Sequence, residues 1–162
     1  MPGASGGILF YALVVDQDDN YSSSEVAEMR VLLADDHPEV RSALRLILEQ
    51  EPNLTVVAEA DAANGLLSQL RSVDPDLVLM DWELPGINPL DLLSALHSLS
   101  PDAMVIAISG RPEACCAALA AGANAFVSKG DPPERLLSAV RSLAAQSQGD
   151  SHDRSDHRSH VP

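Results

Sequence analysis

Aromatic side chains are scarce in this chain of 162 residues: Phe, Trp and Tyr together make up 3% of it, with a single tryptophan. Apolar residues still reach 46%, so a core can form, and it must be built from Leu, Val, Ile and Ala. This length predicts one domain with terminal segments to spare.

Basic residues are also few, 10 against 24 acidic ones, which gives a net charge of −14. That balance disfavours direct binding to nucleic acid or insertion into anionic membranes, because such partners attract basic surfaces. Lysine is the scarcest cation, since Lys129 is the only one in the chain. Its compact ammonium, unlike the planar fork of arginine, suits contact with one phosphoryl oxygen.

Cysteine and long apolar runs are nearly absent. Cys115 and Cys116 are the only cysteines, and because adjacent residues form only a strained bridge, we expect them to be reduced and the protein to be cytoplasmic. A redox-sensing pair is the alternative to simple packing. The run 8–15 is too short to span a bilayer and lacks preceding basic residues, so neither a membrane span nor a signal peptide is expected.

The two ends differ in composition from the middle of the chain. Residues 1–29 pass from Gly and Ser through an apolar run to acidic residues, and we expect a flexible extension, with Met29 as the natural start. Residues 146–162 are mostly Ser, Asp, Arg and His, which predicts a disordered polar tail. Residues 30–145 are the predicted folded domain.

Strand-like and helix-like patterns alternate five times in the domain. Continuous apolar runs are typical of parallel strands buried on both faces, and each is followed by apolar residues at helical spacing. The repeats predict a parallel sheet with helices on both faces, and Asp131 followed by two prolines and Glu134 predicts a capping box for the last helix. The predicted strands are 31–34, 54–58, 77–80, 104–108 and 125–127.

Polar residues follow four of these strands directly. Asp35 and Asp36 follow the first, Asp81 the third, Ser109 the fourth and Lys129 the fifth, so all should meet at the carboxyl edge of the sheet. Taken singly, each has a simpler interpretation. Asp36 is suitable as a helix cap, Asp81 and Ser109 as turn residues, and Lys129 as half of a surface ion pair. Their joint placement favours a shared site.

Three carboxylates crowded together need a cation. Oxygen ligands at an open site suit Mg²⁺, which favours carboxylates together with phosphate. Lys129 adds a second positive centre and Ser109 a hydroxyl donor, so the set is suited to hold a phosphoryl group. Asp81 then has the position of a nucleophile that accepts this group.

Separate motifs, in order over about residues 30–144, resemble the receiver domain of two-component response regulators. Residues 31–38 read Val-Leu-Leu-Ala-Asp-Asp-His-Pro, residues 75–81 end on the candidate acceptor, and 118–129 lead to the lysine. The His-Pro after the acidic pair is most similar to the branch that often carries a helix-turn-helix output. The resemblance implies a flavodoxin-like (CheY-like) three-layer α/β sandwich with a five-stranded parallel sheet in the order 2-1-3-4-5.

The resemblance also implies roles for individual residues. Phosphorylation would fall on Asp81, Lys129 would contact the phosphoryl group, and the switch pair would be the Ser109 hydroxyl and the Phe126 ring. The implied ligands of Mg²⁺ are Asp36, Asp81 and the backbone carbonyl of Glu83, with Asp35 acting on the ion largely through water. Trp82 follows the acceptor where smaller residues are common, and is expected either to shield the site, to offer a partner surface or simply to pack.

The implied donor is a histidine kinase or histidine phosphotransfer protein, and the output is binding to a downstream protein that the sequence does not identify. We expect a signalling switch rather than an enzyme, with only its own phosphotransfer and dephosphorylation as chemistry. About seventeen residues follow the domain, so a stand-alone receiver is expected. The alternatives are a Rossmann-like phosphatase or nucleotide-binding enzyme, and a receiver that has lost phosphorylation.

Overall fold

The computed structural model describes residues 27–149. Their five strands form one parallel sheet, as the sequence pattern predicts, in the order β2-β1-β3-β4-β5 that the resemblance implies. The strands are β1 (Met29–Ala34), β2 (Leu54–Ala60), β3 (Leu77–Asp81), β4 (Met104–Ser109) and β5 (Ala125–Ser128).

Five helices connect and follow the strands. A short 3₁₀ turn at Pro112–Ala114 precedes the fourth helix, and Gly122, with φ of +107°, ends the turn after it. This positive φ favours glycine, and a β-carbon at Gly122 would lie 2.9 Å from the tip of the His97 ring, which would have to shift. The helices are α1 (Pro38–Leu48), α2 (Ala63–Val73), α3 (Pro89–Leu99), α4 (Cys115–Ala120) and α5 (Pro133–Gly149).

The sheet separates two apolar layers. On one face Leu32 and Val78 pack with α2, α3 and α4, and on the other Val31 and Leu79 pack with α1 and α5. Because successive side chains of a strand point to opposite faces, these continuous apolar strands fill both layers. The central strands are therefore packed on both faces, and the residues that follow them extend from the edge of this core.

Backbone hydrogen bonds continue past the strand ends at the carboxyl edge. The Asp35 N–H donates to the Ala60 carbonyl at 3.1 Å, and the Lys129 N–H donates to the Ser109 carbonyl at 2.8 Å. The residues that carry polar side chains at this edge are thus fixed by the same ladder as the sheet itself.

Three boundaries differ from the sequence-based expectations. Met29 is not part of the extension, because it is buried in β1 and donates to the Asn53 carbonyl. The last helix continues to Gly149, four residues into the predicted disordered tail. The predicted capping box is wrong: Asp131 accepts a hydrogen bond from the Ser128 N–H, and α5 begins only at Pro133. Residues 1–26 and 150–162, which hold the rest of both predicted terminal segments, lie outside the described residues.

Candidate phosphoryl-acceptor site

The single lysine and two buried carboxylates meet at the carboxyl edge. Lys129 Nζ lies 2.8 Å from Asp35 Oδ2 and 3.3 Å from Asp81 Oδ2. Asp35 is 1% exposed and Asp81 3%, so the interpretation of Lys129 as half of a surface ion pair is wrong. The interaction is a partly buried bridge between one cation and two anions.

Burial dominates the electrostatics of Asp81. Loss of solvation raises the pKa of its carboxyl to about 6, a hydrogen bond from the Glu83 N–H works against the rise, and repulsion from Asp35 adds to it. The Lys129 pKa is raised instead: burial opposes the rise, but the attraction of the ammonium to the Asp35 and Asp81 carboxylates outweighs it. The arrangement keeps the lysine charged and leaves negative charge that one ammonium does not balance.

Asp36 and His37 complete an acidic cluster around the buried pair. One ligand atom from each of Asp35, Asp36, His37 and Asp81 lies within 4.8 Å of the others. His37 Nδ1 is 3.1 Å from Asp35 Oδ1 and 2.9 Å from Asp36 Oδ1. The simpler interpretation of Asp36 as a helix cap is wrong, because His37 occupies the cap position of α1 and no side chain caps it.

The cluster suits a divalent cation. Asp35 Oδ2 is fully buried, and although the Lys129 ammonium is near it, no hydrogen bond of good geometry reaches it. The carboxylates are hard oxygen donors, the type that Mg²⁺ takes, and the side chain of Asp36 is open to solvent. A cation of charge two would compensate the charge that Lys129 leaves unbalanced.

Ser109 is buried at the end of β4, and its hydroxyl is already engaged. Its Oγ donates to Glu83 Oε1 at 2.6 Å and accepts from the Arg111 N–H at 2.9 Å. Arg111 Nε also donates to Glu83 Oε1 at 3.0 Å. Although burial opposes it, these bonds from Ser109 and Arg111 lower the Glu83 pKa. Glu83, in the loop that follows β3, therefore holds the serine hydroxyl.

Trp82 and Phe126 flank the site in different ways. Trp82 is 5% exposed and belongs to the core layer under α2, α3 and α4, so the expectation that it offers a partner surface is wrong. Phe126 is half-buried and packs against the same layer. The tryptophan ring is thus a buried neighbour of Asp81 in the chain.

Sequence reasoning found the residues that follow the strands but not their partners. It did not predict His37 as a member of the cluster, although its place directly after the acidic pair was a signal. It also missed the Glu83 carboxylate on Ser109, and Arg41, whose Nη1 donates to the Asp35 carbonyl at 2.6 Å. Residue spacing does not mark these last two, because Glu83 contacts Ser109 26 residues away, and Arg41 reaches from α1 back to the carbonyl of Asp35.

The sheet order and the acidic edge define an α/β protein of the flavodoxin-like class, with its polar site beyond the carboxyl ends of the strands. The family model for the response regulator receiver domain matches residues 31–141. The chain belongs to this family, and it is the receiver of a two-component response regulator.

Named relatives agree with this assignment. The nitrate/nitrite response regulator protein NarL of Escherichia coli K12 is 38% identical over 117 residues, which cover 71% of this chain and 54% of that protein. The response regulator UvrY of the same strain is 35% identical, with the same coverage. The chain therefore spans about half the length of the curated relatives it matches.

Solved structures share the fold as well. A LuxR-family response regulator from Aurantimonas sp. SI85-9A1 matches with a TM-score of 0.69 and 30% identity, over 74% of this chain and 87% of that one. The receiver domain of the putative response regulator NarL from Mycobacterium tuberculosis matches with a TM-score of 0.67 and 29% identity, over 74% of this chain and 98% of that one. Within residues 27–149, no helix is both long and apolar enough to cross a membrane.

Proposed function

We propose that this receiver accepts a phosphoryl group from a phosphohistidine onto Asp81, and signals by the change of shape that follows. The observation that carries the proposal is the ion triad of Lys129 with the buried Asp35 and Asp81 at the carboxyl edge. Family membership agrees with it, and offers no support for a Rossmann-like phosphatase or a nucleotide-binding enzyme.

The transfer is a direct substitution at phosphorus. A carboxylate oxygen of Asp81 forms a bond to the phosphorus, the bond from phosphorus to the imidazole nitrogen of the donor breaks, and its electron pair returns to that nitrogen. The product is an acyl phosphate on Asp81. The Asp81 carboxyl, with its pKa of about 6, is mostly ionised at neutral pH and ready to act as the nucleophile.

Asp35, Asp36 and Asp81, with the Glu83 backbone carbonyl, would hold Mg²⁺. When bound, the ion supplies charge neutralisation for the phosphoryl oxygens. Lys129 contributes a fixed ammonium that can pair with a phosphoryl oxygen once that group is attached. Ser109 is the proposed switch hydroxyl and Phe126 the ring that moves with it.

The direct test is covalent phosphorylation. Incubating the full chain with acetyl phosphate and Mg²⁺ should add one phosphoryl group by intact-mass spectrometry, stable in mild acid and cleaved by alkali, and peptide mapping should place it on Asp81. EDTA should prevent its formation. A chain that stays unmodified would favour a receiver without phosphorylation, whereas turnover of free nucleotides or varied phosphate esters would favour an enzyme.

The phosphodonor has a suitable docking surface next to Lys129. A groove of about 340 Å³ lies between α1 and α5, with apolar residues such as Val40, Leu44 and Leu136 on its walls and Lys129 at its border. A donor histidine must reach Asp81, so its protein must contact the surface around Lys129. We propose that the groove receives the helix that carries this histidine.

A large side chain placed in the groove should slow phosphotransfer from a protein donor but not from a small molecule. Ala43 is an exposed groove residue on α1, so Ala43→Arg should slow transfer from a phosphorylated histidine kinase by about tenfold or more. Phosphorylation by acetyl phosphate, which needs no docking, should be unchanged. The control is Ser42→Arg, which adds the same side chain to the adjacent exposed position outside the groove. Equal slowing by both variants would contradict this surface.

A further inference from the structure

Arg41 connects helix α1 to the loop that carries the acidic pair. Its Nη1 donates to the backbone carbonyl of Asp35 at 2.6 Å, and its Nε donates to Glu59 Oε2 at 3.2 Å. The Asp35 carbonyl belongs to the peptide that joins Asp35 to Asp36. One guanidinium therefore holds the peptide between two of the candidate ligands of the cation.

Glu59 braces this arginine. It lies on β2 next to Ala60, whose carbonyl accepts from the Asp35 N–H at 3.1 Å. The backbone carbonyl of Glu59 accepts a hydrogen bond from Gln69 Nε2 at 2.7 Å, and this bond links β2 to α2. Because the planar guanidinium donates in fixed directions, the bond from Nε to Glu59 orients Nη1 toward the Asp35 carbonyl.

Arg45 provides a natural comparison one turn along α1. It donates to Glu59 Oε1 from Nε at 2.9 Å and from Nη2 at 2.6 Å. No contact joins Arg45 to Asp35 among the hydrogen bonds and ion pairs of residues 27–149. The two arginines thus share the carboxylate, and only Arg41 reaches the site.

We propose that Arg41 is a positioning residue for the cation site: it fixes the Asp35–Asp36 peptide and so sets the direction of both carboxylates. The inference rests on the proposed function, since it assumes that these carboxylates bind Mg²⁺. Partners behind a metal ligand commonly change metal affinity by about 10- to 100-fold when they are removed. Arg41 acts through the backbone carbonyl of Asp35, and its hydrogen bonds within residues 27–149 reach no carboxylate oxygen of Asp35 or Asp36.

The test compares Arg41→Gln with Arg45→Gln in the full chain. Mg²⁺ affinity is measured by calorimetric titration and by the fluorescence of Trp82, the one tryptophan, which adjoins Asp81. Arg41→Gln should weaken Mg²⁺ binding by about 10- to 100-fold. Arg45→Gln should stay within about threefold of wild type, although it loses both of its bonds to Glu59. Urea unfolding of each variant shows whether the fold is retained, and Arg41→Lys, which keeps one charged donor, should give an intermediate loss.

Phosphorylation by acetyl phosphate separates positioning from a general defect. With Arg41→Gln the Mg²⁺ concentration for half-maximal rate should rise by the same factor as the dissociation constant, and the rate at saturating Mg²⁺ should return to near the wild-type value. Equal Mg²⁺ affinity in the two glutamine variants, or a lower saturating rate with unchanged affinity, would overturn the positioning role. A wild-type chain without Mg²⁺ binding would overturn the proposed function itself, and this role with it.

Discussion

Replacing Asp81 with asparagine is expected to abolish covalent phosphorylation and, in the absence of metal, to stabilise the protein at neutral pH. The amide is not a nucleophile, so no acyl phosphate can form. It is also uncharged, so the cost of burying an ionised carboxylate beside Asp35 disappears. Loss of function and gain of stability should therefore appear in the same variant.

The sign of the pH dependence follows from the raised pKa. The Asp81 pKa is about 6 in the folded protein against 3.8 for the free side chain, so the folded state binds this proton more tightly than the unfolded state. Wild-type stability should therefore fall as pH rises from about 4 to 6, and stay reduced above that. The difference between these two pKa values corresponds to about 3 kcal/mol at most, so we expect Asp81→Asn to gain about 1–3 kcal/mol at pH 7.5 and almost nothing at pH 4.

Urea unfolding in EDTA at the two pH values measures this difference. Asp102→Asn, which neutralises an exposed carboxylate in the turn before β4, should show neither effect. A phosphoryl group retained on Asp81→Asn would remove Asp81 as the acceptor. A less stable Asp81→Asn at pH 7.5 would mean that Lys129 already compensates the buried charge in full.

Replacing Lys129 with methionine should have the opposite effect on stability. The change leaves two buried carboxylates without their shared cation, and breaking such a pair costs about 3 kcal/mol or more. Since the folded-state pKa of Lys129 is raised above 10.5, its contribution is complete at pH 7.5 and would be lost only as pH rises through that folded value. The loss in the variant should shrink toward pH 5, where Asp81 takes up a proton.

Added Mg²⁺ should restore part of the stability of Lys129→Met, because the ion would pair with the same carboxylates. Phosphorylation by acetyl phosphate should stay slow even then, since no ammonium faces the phosphoryl group. Arg141→Met is the matched control: Arg141 pairs with Glu51 at an exposed position, so its removal should change unfolding far less. Equal losses in the two variants would contradict the burial of the Lys129 bridge.

Much of the site could be predicted from the sequence because continuous apolar runs mark the strands. Runs such as 77–80 are apolar throughout, and in a parallel sheet the residue that follows each run must lie at one edge. The position of Asp81 and Lys129 follows from this rule alone. The distance between them is a matter of register, which the strand pairs fix by hydrogen bonds that sequence patterns do not reveal.

Long polar side chains account for most of what was missed. Glu83 and Arg41 each have several places to bond within reach, and their choice depends on which elements pack nearby. Asp131 illustrates the same limit at short range: two prolines follow it, as at a helix start, yet its carboxylate bonds back to the Ser128 N–H. The chemistry of these side chains allows many bonds, and the sequence does not show which partner each one takes.

In the proposed switch, the hydrogen bond from Ser109 to Glu83 opposes the movement of the serine hydroxyl toward a phosphorylated Asp81. A hydroxyl has one proton to donate, and here Glu83 already receives it. Any other acceptor, including a phosphoryl oxygen on Asp81, must compete for this proton with the Glu83 carboxylate. Arg111 also donates a hydrogen bond to that carboxylate. The unphosphorylated form is thus stabilised by the side chain of Glu83, two residues after Asp81. Sensitivity to signal can therefore change by substitution at position 83 while every group that does the chemistry stays the same.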